Sequence, residues 1–147
     1  MNRPRPTFLA GAALALIAIG LGAPALAAEL KGAAILNHAC GKVAVRQMGL
    51  IHAGKFDDAN KLSTRELQEQ WKAMPAKDRD MMKGMMKELA ESESKFAAGI
   101  RSDGVLMENG QDATLTVTKV VKDANGSSTT TTTHQFRMNG GECLVSR

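Results

Sequence analysis

The sequence predicts an α+β fold: N-terminal helices packed on a curved, cone-like antiparallel sheet of about four strands, preceded by a signal peptide. Three observations carry this reading. The chain opens on a basic, then apolar, then small-residue segment. Apolar residues recur at a helical period from Lys31 to the neighbourhood of Phe96. Beyond Phe96 the period changes to two, and Asn-Gly pairs punctuate the strands.

In the opening segment, MNRPRP carries Arg3 and Arg5, and FLAGAALALIAIGLG runs apolar from Phe8 to Gly22. APALAA then offers small residues at the −3 and −1 positions, so cleavage is expected after Ala27, with Ala28 as the near alternative. The apolar run is shorter than the ~20 residues a spanning helix needs, and Pro24 sits at its exit, so no stable membrane span is expected after cleavage. Residues 28–147 then form one domain of 120 residues, enough for a single core. Losing Arg3 and Arg5 leaves 17 Lys+Arg against 15 Asp+Glu, a net charge of +2. Positive and negative side chains are interspersed, and the chain has no Tyr and one Trp. Nucleic acid is therefore a poor partner on both electrostatic and stacking grounds.

Two cysteines remain, Cys40 and Cys143. An even count in an oxidising compartment fits one structural disulfide, and two separate buried thiols are the alternative.

From Lys31 to Ala53 one helix is expected. At about 100° per residue, Leu36, Cys40, Val43, Leu50 and Ile51 share one face, with His38 and His52 on the opposite, wet side. Gly54 reads as its stop. Phe56, Ala59 and Leu62 anchor a short segment, and Ser63 with Glu66 has capping-box spacing for a helix carrying Leu67 and Trp71. Pro75 suits the first turn of a further helix running to about Ser94, with Asp78 and Asp80 near its positive end. AAGIRSDGVLME is expected to be the first strand, with a turn at Asn109-Gly110. ATLTVTKVVK alternates Ala113, Leu115 and Val117 against threonines, as a half-buried strand does. Asn125-Gly126 marks a hairpin. SSTTTTTHQFRM returns with His134, Phe136 and Met138 on one face, and Asn139-Gly140-Gly141 turns into ECLVS.

MMKGMM, residues 81–86, is the one stretch that suggests soft-metal chemistry, since thioethers select Cu(I). Spacing argues otherwise. With Met81 at 0°, Met85 falls at about 40°, Leu89 at about 80°, Met82 at about 100° and Met86 at about 140°, with Lys83 and Lys87 opposite. This is an apolar stripe that packs on a core or lines a pocket, where thioethers fill irregular gaps. Met81, Met82, Met85, Met86 and Leu89, with Trp71 and Phe136, are the candidate pocket lining; no metal site, cofactor or catalytic residue is assigned.

MGLIHAGKFDDANKLST, followed by DGVLMENGQDATLTVTKVV, the threonine strand and MNGGECLVS, resembles the nuclear-transport-factor-2-like (cystatin-like, cone-shaped) superfamily. It is most similar to small exported bacterial lumazine-binding-like domains. The resemblance implies a cone whose mouth can become a pocket, in which the enzymes of the superfamily place Asp, Tyr or His. This chain has no Tyr, and Glu142-Cys143-Leu144 stands where an aromatic near the last strand is usual, so no functional residue carries over.

The sequence thus predicts a non-enzymatic binding or protein-interaction domain of the periplasm, or a secreted one, whose partner is an apolar small ligand or a protein. The alternatives are a periplasmic immunity or inhibitor protein and a small pocket enzyme of the same superfamily.

Overall fold

The structure, a computed structural model, describes residues 27–147; residues 1–26, and with them most of the expected signal peptide, lie outside the described residues. The elements run β1 (Ala28–Lys31), α1 (Ala33–Asn37), α2 (Ala39–His52), α3 (Phe56–Asn60), α4 (Arg65–Ala73), α5 (Ala76–Leu89), α6 (Glu93–Asp103), β2 (Gly104–Asn109), β3 (Asp112–Asp123), β4 (Gly126–Asn139) and β5 (Glu142–Val145). The fold is α+β with a five-stranded open antiparallel sheet in the order β1-β2-β3-β4-β5. The expected count of about four strands omitted β1, which precedes the helices. Four residues carry little local pattern, and Leu30 becomes a strand residue by pairing with Leu106, far along the chain.

The period-two pattern sets the buried face. Leu106, Leu115 and His134 lie in register across β2, β3 and β4, and Ala113, Phe136 and Val145 form the next row across β3, β4 and β5. These apolar residues meet Ile35, Cys40, Ala44, Phe96 and Ile100 from the helices in one core. The threonines between them face the other side. The three turns use glycine differently. Gly140 and Gly141 both take positive φ, as a two-residue mirror-image turn requires, and Gly110 alone does so in the first hairpin. In the second, Asp123 pairs with Gly126, so the loop is Ala124-Asn125, one residue earlier than the Asn-Gly pair suggests; the Asp123 carboxylate accepts from the Asn125 N–H at 2.8 Å.

Two helix boundaries differ from the expected ones for tertiary reasons. The single helix expected over Lys31–Ala53 is broken at His38, whose backbone is extended (φ −77°, ψ 146°). Its Nδ1 accepts the Cys40 N–H at 3.2 Å and so caps α2, while Nε2 lies 2.5 Å from a Glu108 carboxylate oxygen on β2. His38 is therefore half-buried and structural, not on the wet side. The break also brings α1 close to α2: a Cβ on Gly41 would sit 1.9 Å from the Ile35 carbonyl oxygen. The segment expected to open the first strand, from Ala97, is instead the body of α6. Ser92 caps it, and Phe96 and Ile100, four residues apart, bury the same face. Glu91, just before α6, is clamped by Lys119 of β3 and by Lys95 at 3.4 Å. Burial alone would push its carboxyl up, but the two ammonium groups outweigh that and hold it below the usual carboxylate range.

At the far edge of the sheet, the α3–α4 connection is stitched to β5. The Thr64 N–H donates to the Val145 carbonyl at 2.8 Å, and the Val145 N–H to the Leu62 carbonyl at 2.9 Å. This covers the β5 edge and buries Ser63 and Thr64. The expected Ser63–Glu66 capping box does not form, because Thr64, not Ser63, is the N-cap and its side chain accepts no cap hydrogen bond, which leaves Glu66 at the second helical position. The Glu66 carboxylate accepts from its own N–H and from the Thr64 hydroxyl, which holds it below its ordinary range.

Cys40 of α2 and Cys143 of β5 form the expected disulfide, with Cα atoms 5.0 Å apart and a sequence separation of 103. Both are buried, at 0% and 4% exposure. Closing so long a loop restricts the unfolded chain strongly, and removing such a bridge typically costs about 2–5 kcal/mol. A Cys40→Ala/Cys143→Ala double variant should lose stability in that range by urea unfolding, and thiol labelling of the native oxidised protein should find no reactive cysteine. At the helix break, His38→Ala should cost about 1 kcal/mol for the cap, and His38→Asn should recover most of it. An unrecovered loss would place the stabilisation in the Glu108 pairing instead.

Candidate functional site

One cavity of about 470 Å³ lies between the helices and the β4–β5 end of the sheet. The helices α2 to α5 each give it one stripe. Gln47 and Ile51 come from α2, and Phe56, Ala59 and Asn60 from α3. Leu67, Gln70, Trp71 and Met74 follow the i, i+3, i+4, i+7 spacing along α4, and Met82 and Met86 sit one turn apart on α5. Ser63 on the α3–α4 connection, Thr133 and His134 of β4, Val145 of β5 and Arg147 close the wall. The volume is in the ordinary range for small-ligand sites, and the mix of apolar wall and few polar groups is typical of them.

Of the candidate lining residues, Trp71, Met82 and Met86 are brought together here. Met81, Met85 and Leu89 point outward instead, at 62%, 56% and 79% exposure. The apolar stripe is real, but only its Met82–Met86 side meets the cavity, and Leu89 is the last residue of α5, ending short of Ser94. Phe136 is part of the core, with its ring centroid 6.4 Å from that of His134.

Gln47 and Arg147 have no sequence signal of their own, whereas His134 shares the period-two face of Phe136 and Met138. Gln47 Nε2 reaches the Ala59 carbonyl at 3.4 Å and Ser63 Oγ at 3.3 Å, tying α2 to α3 beneath the cavity. His134 ends the apolar row from Leu106 through Leu115, and its ring packs edge-on to Phe96 at 5.4 Å. The backbone of Arg147 is held to Gln135: its carbonyl accepts from the Gln135 N–H at 3.1 Å. Among the described residues lining the cavity there is no Asp or Glu, so His134 has no carboxylate beside it in this wall.

Two polar atoms in the wall are unusual. Trp71 Nε1 and His134 Nε2 are both buried and have no hydrogen-bond partner. Such orphaned groups cost about 1–3 kcal/mol each. Both belong to residues that line the cavity, Trp71 on α4 and His134 on β4, but the nitrogens themselves are packed within the wall, away from the open space. Burial also lowers the affinity of the His134 imidazole for a proton below its ordinary value.

Because that folded-state value lies below the unfolded one of about 6.5, the unfolded chain binds the extra proton first. Stability from this residue is complete above about pH 6.5 and falls as the pH drops below it. The carboxylates held low, such as Glu91 and Glu66, act only nearer pH 4.5 and below. Urea unfolding at pH 7.5 and 5.5 should therefore show a smaller loss for His134→Phe than for the natural chain; equal losses would contradict this assignment.

No helix among the described residues is long and apolar enough to cross a membrane. The chain matches no family model, no curated protein and no solved structure in the comparisons made with it.

Proposed function

We propose that this is an exported, non-enzymatic binding domain that holds a small apolar ligand in the cavity between α4, α5 and β4. The observation that carries the reading is the cavity of about 470 Å³ itself, with a wall built largely of Phe56, Leu67, Trp71, Met82 and Met86. A space needed only for packing would be filled by larger side chains. A ligand with an apolar body supplies the missing contacts. Met82 and Met86 suit this role, since thioethers repack around guests of varied shape.

Export rests on two supports. The leader-like start of the sequence predicts a cleaved signal peptide and a periplasmic or secreted product, and the buried disulfide is compatible with an extracytoplasmic protein. The resemblance of the sequence to the cone-shaped superfamily is a further support for the ligand reading, since it implies a cone whose mouth can become a pocket. A protein partner is the second reading, favoured by the exposed Met81, Met85 and Leu89 on the outer side of α5.

Methyl-labelled methionines separate the two. On titration with a neutral alkyl compound such as dodecanol, the Met74, Met82 and Met86 signals should move saturably, while Met81 and Met85 stay still. No movement at the three inner positions across a panel of apolar compounds would remove the ligand reading.

A further inference from the structure

We propose that Met81, Met82 and Met85, on the solvent side of α5, form a site for the soft monovalent cation Cu(I), held by thioether sulfurs alone; the site is independent of the cavity reading. The orientation of α5 is the starting point. With Met81 set at 0°, the half-buried residues of the helix are Met86 at about 140°, Arg79 at about 160° and Lys83 at about 200°. Met81 and Met85, at 0° and about 40°, therefore stand on the far side, at 62% and 56% exposure. Met82, at about 100°, stands at the rim between the two sides and is 37% exposed. The packing that the spacing suggests is thus done by Met86 and by the stems of two cationic side chains. The outer methionines are left without that role.

Their spacing brings them together. Met85 is four residues after Met81 and three after Met82, so it is the surface neighbour of both, with Cβ atoms about 5–6 Å apart. Each thioether swings on three rotatable bonds, which lets the three sulfurs converge on one ion beside Met85. Three of the four exposed large apolar side chains of α5 are methionines, whereas a patch built for apolar area alone would be served as well by leucine. Thioethers select Cu(I) among the first-row metals. No thiolate competes for it, because the two cysteines of the chain are joined to each other. Among the described residues no group of three or more His, Cys, Asp or Glu is placed to hold a metal, so a harder cation such as Zn(II) has no comparable site.

The experiment titrates the folded protein, disulfide intact and methionine methyls labelled, with silver(I) nitrate in chloride-free buffer. Silver(I) stands in for Cu(I), having the same charge and softness without the redox chemistry. Binding should saturate and move the Met81, Met82 and Met85 methyl signals, while Met48, Met107 and Met138 stay still. Met85→Leu, which keeps the volume and removes the sulfur shared by both pairs, should weaken binding at least about tenfold. Met107→Leu, which removes a lone exposed thioether on β2, should leave it unchanged. Because thioethers carry no proton, the affinity should be the same at pH 5.5 and 7.5, unlike that of a site built on imidazole. Cu(I) kept reduced with ascorbate should move the same three signals, and excess Zn(II) should move none. Silence toward either soft ion overturns the site. So does an affinity that survives Met85→Leu, falls at pH 5.5, or moves Met107 as much as the three. None of these outcomes touches the cavity, which the dodecanol titration tests by itself.

Discussion

Joining Cys40 to Cys143 fixes α2 against β5, and the cavity is assembled around that junction. α2 contributes Gln47 and Ile51 to the wall and, through Gln47, holds α3 in place. β5 contributes Val145, whose backbone both donates to and accepts from the α3–α4 connection. α4 then follows at a set angle from Thr64. The wall therefore depends on one covalent link and on the few hydrogen bonds nearest to it, rather than on α4 and α5 themselves, neither of which has a fully buried residue. A chain of this size has a modest core, so a cross-link that restricts the unfolded state accounts for a large share of a stability typically of 5–15 kcal/mol.

The same arrangement explains why the chemistry gathers where it does. The tightly packed half of the molecule, around Phe96, Ile100, Leu106 and Leu115, leaves no room for polar side chains without partners. The half under α4 and α5 is looser, and there an indole and an imidazole stand with nitrogens unused. His134 marks the boundary. Its strand neighbours and the Phe96 ring bury it as if it were core, while one side of it faces the cavity. A buried imidazole without a carboxylate beside it is kept neutral by its surroundings and is suited to hydrogen bonding more than to carrying charge.

Much of the sheet was legible because its signals are local. Alternating Ala113, Leu115 and Val117 reports a face, and Gly140-Gly141 or Gly110 reports a turn, with no knowledge of the rest of the chain. The disulfide was legible from the even cysteine count together with the leader-like start of the sequence. What escaped was set by distant partners. β1 exists because β2 offers an edge, and the break at His38 is held by Glu108, so neither has a pattern within its own few residues. α6 was read partly as strand because the helical period was taken to end at Phe96, whereas the burial of Phe96 and Ile100 on one helical face continues it to Asp103. The methionine stripe illustrates a different limit. Spacing identified an apolar side of α5, but which edge of that side meets the protein depends on where α2, the helix it packs on, lies. Met86 meets the cavity and Met82 lines it while staying 37% exposed, whereas Leu89 is turned to solvent. Gln47 and Arg147 were invisible, since a single polar residue has no period.

The position of β5 also bears on the order in which the molecule is made. Cys143, Val145 and Arg147 sit at the last part of the sequence, yet they supply one half of the disulfide, the cover for the α3–α4 connection and part of the cavity wall. β1, at the opposite edge, waits for β2. The junction between helices and sheet is complete only once β5 has paired with β4 and Cys143 has met Cys40.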